Sequence, residues 1–431
     1  MDGLINKKTN KKTNQQLINN ISAFILAFCC MVPSFSGKTI IVLFAMFLWG
    51  ASAMLGKYSR YVFNSNENYI YLGMFGWGLM TIAIILIRPQ LNAGGLYTGL
   101  LTSVICIETF RNNLINRDFS IIKALAFFTV VLYVIVLVRA LLIGGFNSDV
   151  YRLNKTSGLM NESIGNFGIY YLIVFTIPVG LFFSFKKNCK YRLLALALTL
   201  VSILLLFAAQ YAIAFITEIS LLLIWFVITK TKENKSLRLI SLVFITLLIV
   251  LLVLFVDELL VSPLTSIANS LPSSSPMKER LMDVVKTLQG DVGDNNLAVD
   301  RLTRYKDSLV SFFKNPLFGS NFENLFSVVE TEGKAGHNSV LEMLNQYGLV
   351  FGLPYFMLLI SAFKKALNIW KNLNHSFYAL LIAIIFAYFL LGLLNPIFNL
   401  FAMTWFLFNA IFVMPLVFDK KFTHGQCGEI G

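Results

Sequence analysis

The residues best suited to chemistry lie close together late in the chain, between Arg301 and Tyr355. His337 stands just before an apolar run, and Ser339 and Glu342 are spaced as a capping box, so a helix N-terminus is expected beside the imidazole. Such an end carries partial positive charge and free N–H groups, which attract phosphate and disfavour a charged imidazole. A neutral imidazole can act as general base on a hydroxyl near neutral pH. The competing reading is an interfacial histidine with local hydrogen bonds only. Arg301, Arg304 and Ser308 fall at i, i+3 and i+7 of a predicted helix, on one side of it. Guanidinium groups bind phosphate oxygens bidentately and keep their charge, so the two arginines suit a diphosphate. The competing reading is a solvated face with pairs to Asp300 or Asp307, each worth about 0–1 kcal/mol.

Three further charged residues stand apart from this cluster. Arg152, in the polar segment 144–163, is a candidate second diphosphate contact, or else a loop arginine near lipid headgroups. Arg139 and Glu218 lie inside apolar runs, where a charge costs on the order of 2.5–3.5 kcal/mol at mid-span, so they are candidates to pair with each other or to line a polar cavity. A structural pair fits as well as a catalytic one. Glu108 falls near a predicted membrane boundary within reach of water and is assigned no role, as are His375 and His424. No metal-ligand cluster, nucleotide-binding glycine loop or serine-nucleophile motif is visible, so neither a metal nor a cofactor is expected. The five cysteines, Cys29, Cys30, Cys106, Cys189 and Cys427, imply no disulfide framework.

The elements that must position these residues are set by composition. Hydrophobic residues make up 57% of the chain and charged residues 13%, which points to lipid as the main solvent and to an all-α polytopic integral membrane protein. Twelve apolar runs approach the roughly 20 residues needed to cross a bilayer. They lie near 17–33, 39–55, 69–87, 95–110, 121–143, 164–185, 193–210, 212–229, 239–256, 339–361, 377–394 and 398–418. The net charge of +13 raises nucleic acid as a partner, but the basic residues gather at alternate boundaries, which reads instead as topology. On one side lie Lys57 and Arg60; Arg111, Arg117 and Lys123; Lys186, Lys187, Lys190 and Arg192; Lys230, Lys232, Lys235 and Arg238; Lys364, Lys365 and Lys371; and Lys420 and Lys421. Both termini, the tails 1–16 and 419–431, are therefore expected in the cytoplasm. The seventh and eighth runs meet around Gln210 and Tyr211 and could instead form a broken pair dipping into the membrane.

The one large loop, 257–338, falls on the opposite side with eight basic and eleven acidic residues. After an irregular Ser/Pro-rich start it predicts an amphipathic helix from Pro276 to Leu288, lying on the membrane surface, with Met277, Leu281, Val284, Val285 and Leu288 on one face. A second follows from Ala298 to Lys314, ended by Asn315-Pro316, with Leu302, Tyr305, Leu309 and Phe312 as its expected buried stripe.

The order of these residues resembles the motif region of the O-antigen polymerase and O-antigen ligase superfamily. The resemblance rests on Arg301 four residues before the aromatic Tyr305, then Asn315, Pro316, Leu317 and Gly319, then His337 and Asn338, then Gly348 and Gly352; it is looser for Arg152 with Ser157, Gly158 and Asn161. Tyr305 departs from the tryptophan more usual in that family. The resemblance implies a metal-independent glycosyltransferase at the outer face of a bacterial cytoplasmic membrane. Its donor would be a glycan on undecaprenyl diphosphate, its acceptor another repeat unit or the lipid A core. It further implies His337 and Arg301 as the catalytic pair and Arg152, Arg304 and Asn338 as diphosphate contacts. Expected partners are the lipid-linked glycan, membrane lipids, and a chain-length regulator and flippase of the same pathway. A flippase or other transporter is the competing class, although such proteins are expected to carry charges through both halves of the bundle and no large late loop.

Overall fold

The computed structural model describes residues 2–32, 39–54, 68–87, 94–116, 119–146, 151, 171–209, 212–230, 262–273, 275–288, 297–320, 339–394, 397 and 400–423. Among these the secondary structure is helical, with no strand beyond an isolated antiparallel bridge between Cys189 and Asp419. Eight helices form the first part: α1 (Asp2–Met31), α2 (Thr39–Met54), α3 (Asn68–Ile87), α4 (Gly94–Asn116), α5 (Phe119–Gly144), α6 (Ile173–Ser184), α7 (Arg192–Ala209) and α8 (Ala212–Lys230). The large loop contributes α9 (Ser262–Ser270), α10 (Pro276–Leu288) and α11 (Leu297–Lys314). The later described elements are α12 (Ser339–Tyr347), a π-helical turn (Gly348–Gly352), α13 (Leu353–Leu373), α14 (His375–Leu394), α15 (Phe401–Asn409), a 3₁₀ turn (Ile411–Val413), α16 (Met414–Phe418) and the single turn α17 (Lys420–Thr423).

Helices α5, α7 and α14 are long and apolar enough to cross a membrane, each with about half of its length packed inside the protein. The other side of these helices is also apolar, with Ile135, Leu142, Leu200, Phe207 and Phe386 exposed. A helix apolar all round belongs in lipid, because water would penalise its outer face. Bundle contacts are α1 with α2 and α5, α6 with α7, α4 with α15, and α14 with α8 and α13. Aromatic rings fill the centre: Phe363 stacks on Phe408 at 5.2 Å between centroids, and Tyr133 meets Phe406 at 4.7 Å.

The expected set of twelve continuous crossings differs from the described helices, three of which meet the length and apolarity needed, or four if one bent pair counts as a single span. That pair is the predicted tenth run, which bends by 113° between α12 and α13. Gly348 enters the break at φ +61, a left-handed conformation that suits glycine, and Pro354 opens the next helix. The twelfth run is likewise divided, at Ala410 and Pro415. The second gives a 16-residue helix, and the sixth is described over only 12 residues. The ninth, 239–256, lies outside the described residues. The seventh and eighth are separate helices that share α6 as a neighbour and otherwise part, α7 to α5 and α8 to α14.

Two charge assignments change. Helix α4 runs on to Asn116, so Arg111 is not in a loop but fully buried at 0% exposure, 3.3 Å from the buried Glu108. Its guanidinium also lies 5.6 Å from the centroid of the Tyr71 ring. Glu108 therefore faces a guanidinium rather than water, an arrangement that offsets the cost of burying either charge alone. A polar chain runs alongside, from Asn112 Nδ2 to Asn19 Oδ1 at 3.2 Å and from Asn19 Nδ2 to Ser52 Oγ at 3.0 Å.

Candidate functional site

The predicted loop helices form where the pattern places them, α10 over Pro276–Leu288 and α11 one residue longer than expected. The Ser/Pro-rich start contains a short helix, α9, then turns in which Leu271 N–H donates to Ala268 and Ser275 N–H to Pro272. Proline follows Ser275 at the first position of α10, where its missing N–H costs nothing. Helix α10 packs against α9 and α11 with Val285 buried.

Helix α11 is rotated from the expected orientation. Ser308 is only 2% exposed, Tyr305 and Phe312 are half-buried, and Leu309, expected inside, is exposed together with Val310 and Phe313. At roughly 100° per residue this moves the packed face by about 60° toward position 308. The side chains of Arg301 and Arg304 themselves lie outside the described residues. Ser308, expected on the arginine-bearing side of the helix, is thus turned to the protein. The cause is tertiary: α11 docks on α12, and Tyr305 Oη donates to the Leu393 carbonyl of α14 at 3.1 Å.

The two glycine-bearing motifs are joined backbone to backbone. After α11 the chain turns through Asn315 to Gly319, closed by Gly319 N–H donating to the Asn315 carbonyl at 2.9 Å. The carbonyls of Pro316 and Leu317 then accept from the N–H groups of Leu349 and Val350 at 2.8 and 2.9 Å. The break in the α12–α13 helix would orphan such donors, and the turn satisfies them. Both glycines are required by geometry. Gly319 sits at φ +75, and a Cβ there would meet the Gln346 backbone at 2.5 Å; a Cβ on Gly348 would meet the Leu317 carbonyl oxygen at 2.3 Å.

Buried polar groups collect around this clasp. Ser339, Glu342 and Asn345 lie buried along α12, and Ser308 and Ser320 are buried on the α11 side. Gln346 Nε2 donates to Glu342 Oε1 at 3.1 Å. Ser308 Oγ, Ser320 Oγ and Asn345 Oδ1 have no hydrogen-bond partner among the described residues. An unpaired buried polar atom costs about 1–3 kcal/mol, so these three call for a partner beyond the described residues, be it further chain, water or ligand. Asn345 and Ser320 escaped sequence reasoning, although a polar residue on an otherwise apolar helix is the signal that could have found Asn345.

The remaining candidates are distributed unevenly. His337 and Asn338, which immediately precede α12, lie outside the described residues, as does Arg152. The residue before Arg152 is fixed: Tyr151 is buried, its Oη donates to the Gly145 carbonyl at 2.7 Å, and burial pushes its phenol up to about 12. Gly144 leaves room for that ring, since a Cβ there would meet Tyr151 Cζ at 2.4 Å. Arg139 and Glu218 do not pair. Arg139 is exposed on α5, whereas Glu218 is 6% exposed on α8, and neither carboxyl oxygen of Glu218 has a hydrogen-bond partner among the described residues. Helix α8 packs on α14 and α6, not along α5, which explains the separation. No protein-family model matches the chain, and no curated protein matches it.

Proposed function

We propose that this chain is a membrane glycosyltransferase that joins glycan repeat units carried on a lipid diphosphate, with the large loop at the outer face of a bacterial cytoplasmic membrane. The observation that carries the reading is the clasp. It brings Asn315–Gly319 against Gly348–Val350, and so sets the helix bearing Arg301 and Arg304 beside the helix that His337 and Asn338 precede. In this reading Arg301, with Arg304 and Arg152, holds the diphosphate through bidentate guanidinium contacts. His337 takes the proton of the acceptor hydroxyl as that oxygen bonds to the anomeric carbon. The bond from that carbon to the diphosphate breaks, and the lipid diphosphate leaves with the electron pair. A phosphate leaving group makes charge stabilisation and orientation the main catalytic tasks.

The twelve-span topology with cytoplasmic termini belongs to the same proposal. Its support is that contacts join ends assigned to one side: Asn19 with Ser52 and Asn112, Arg111 with Tyr71, Lys186 with Asp419. Tyr305 of the large loop meets Leu393 at the end of α14 assigned to the other.

The test is glycan transfer by purified, detergent-solubilised protein. His337→Ala is expected to lose about 10²–10⁴ in rate, and retained transfer would remove the histidine from the mechanism. Solubilised protein that joins repeats without vesicles excludes a flippase. In cells lacking the chain, a lone repeat unit on its carrier or core is the expected outcome. Long chains stranded on the carrier would identify a ligase instead, and unchanged surface glycan would overturn the reading.

A further inference from the structure

At the other end of the bundle the segment after α6 is joined to the end of the chain. Lys190 N–H donates to the Phe418 carbonyl at 2.6 Å and Lys420 N–H to the Asn188 carbonyl at 3.0 Å, flanking the Cys189–Asp419 bridge. Asp419 is buried, and both of its oxygens are used. Oδ2 pairs with Lys186 Nζ, and Oδ1 accepts from the Lys421 N–H at 3.1 Å. Among the described residues the join therefore gathers six basic residues, Lys186, Lys187, Lys190, Arg192, Lys420 and Lys421, around one acid that is already satisfied inside. Lys187, Lys190, Arg192, Lys420 and Lys421 are all exposed.

The level of this patch is marked by its neighbours. Phe185 and Leu193, immediately before and after the basic segment, are 78% and 82% exposed. Large apolar side chains so exposed on both flanks of a basic segment are the pattern of a bilayer boundary, with hydrocarbon below and headgroups above. Tyr191 stands between them, packed on Phe127 at 5.0 Å, with Lys190 Nζ 5.0 Å from its ring centroid.

We infer that the joined segments 186–192 and 418–421 form a binding site for the headgroup of an anionic phospholipid. The occupant is a lipid rather than a soluble phosphate because the cations are framed by exposed apolar side chains that an acyl chain would cover. Basic clusters placed at helix ends beside the hydrocarbon recognise such headgroups by charge and by several donors at once. The inference requires the chain to sit in a bilayer and is independent of any glycan transfer, so either can fail alone.

The experiment is thermal unfolding of the full purified chain in neutral detergent, with phosphatidylglycerol, phosphatidylcholine or inorganic phosphate added. Phosphatidylglycerol is expected to raise the midpoint by a few degrees, in a way that weakens as salt is raised, with phosphatidylcholine giving little change. Lys187→Gln with Lys190→Gln is expected to remove most of that shift, whereas Lys364→Gln, an exposed lysine on α13, leaves it intact. Equal shifts with both lipids, a shift reproduced by inorganic phosphate, or a shift unchanged in the double variant would each overturn the site. Should the double variant not fold, the salt dependence and the lipid comparison on the unsubstituted chain decide the matter alone.

Discussion

The two backbone joins, one at each end of the bundle, are made alike and finished differently. Each ties a turn to a distant segment through two N–H to carbonyl hydrogen bonds: Pro316 and Leu317 to Leu349 and Val350, and Asn188 and Lys190 to Lys420 and Phe418. The basic join closes on itself, because its buried acid Asp419 pairs with Lys186 and accepts from the Lys421 N–H. The glycine join leaves Ser308, Ser320 and Asn345 with polar atoms unmet by any described residue. A buried polar group left open is costly, so these atoms call for partners from the undescribed chain, water or a ligand. The closed join supports binding only through the charges on its outside.

The largest break in this comparison is expected from Gly348→Ala. Its positive φ and the 2.3 Å approach of a Cβ to the Leu317 carbonyl leave no room to relax without parting the join. A loss of about 1–3 kcal/mol from backbone strain alone, with glycan transfer falling more steeply than stability, should appear in paired unfolding and activity measurements. Asp419→Ala comes next, at about 1–2 kcal/mol, below the full value for a buried pair because Lys186 is partly open to solvent. Transfer should survive it. If Asp419→Ala abolished transfer and Gly348→Ala did not, the roles assigned to the two ends would be reversed.

Ser308→Ala sharpens the same contrast from the other side. Removing a hydroxyl with no partner among the described residues should leave stability unchanged or raise it by up to about 1 kcal/mol, while the apparent KM for the lipid-linked donor rises if that hydroxyl meets ligand. An unchanged KM would make the open atoms around the clasp a hydration site only. Tyr305→Phe is the smallest change, costing about 0.5–1 kcal/mol for one hydrogen bond to Leu393, readable in chemical denaturation.

Much of the fold was legible because local patterns were strong. Pro276 and the 3.6-residue repeat set α10, and Asn315-Pro316 ended α11, since proline cannot continue a helix. Apolar runs identified α5, α7 and α14 as membrane-length helices. The motif residues Gly319 and Gly348 were visible too, but not that they touch, because a glycine advertises conformational freedom and not the partner that needs it.

What the sequence determined by itself is the helical class, the lipid-compatible surface, the two loop helices and the amino acids of the candidate site. These follow from composition and period, which act over one or two turns. Only the tertiary structure decided which side of α11 packs, that the tenth run breaks rather than crossing straight, that Arg111 is buried against Glu108, and that Arg139 and Glu218 stand apart. Each depends on which helices lie next to one another. In a chain apolar on nearly every face, hydrophobicity does not distinguish a side that meets protein from one that meets lipid; complementary shape and the pairing of polar groups do.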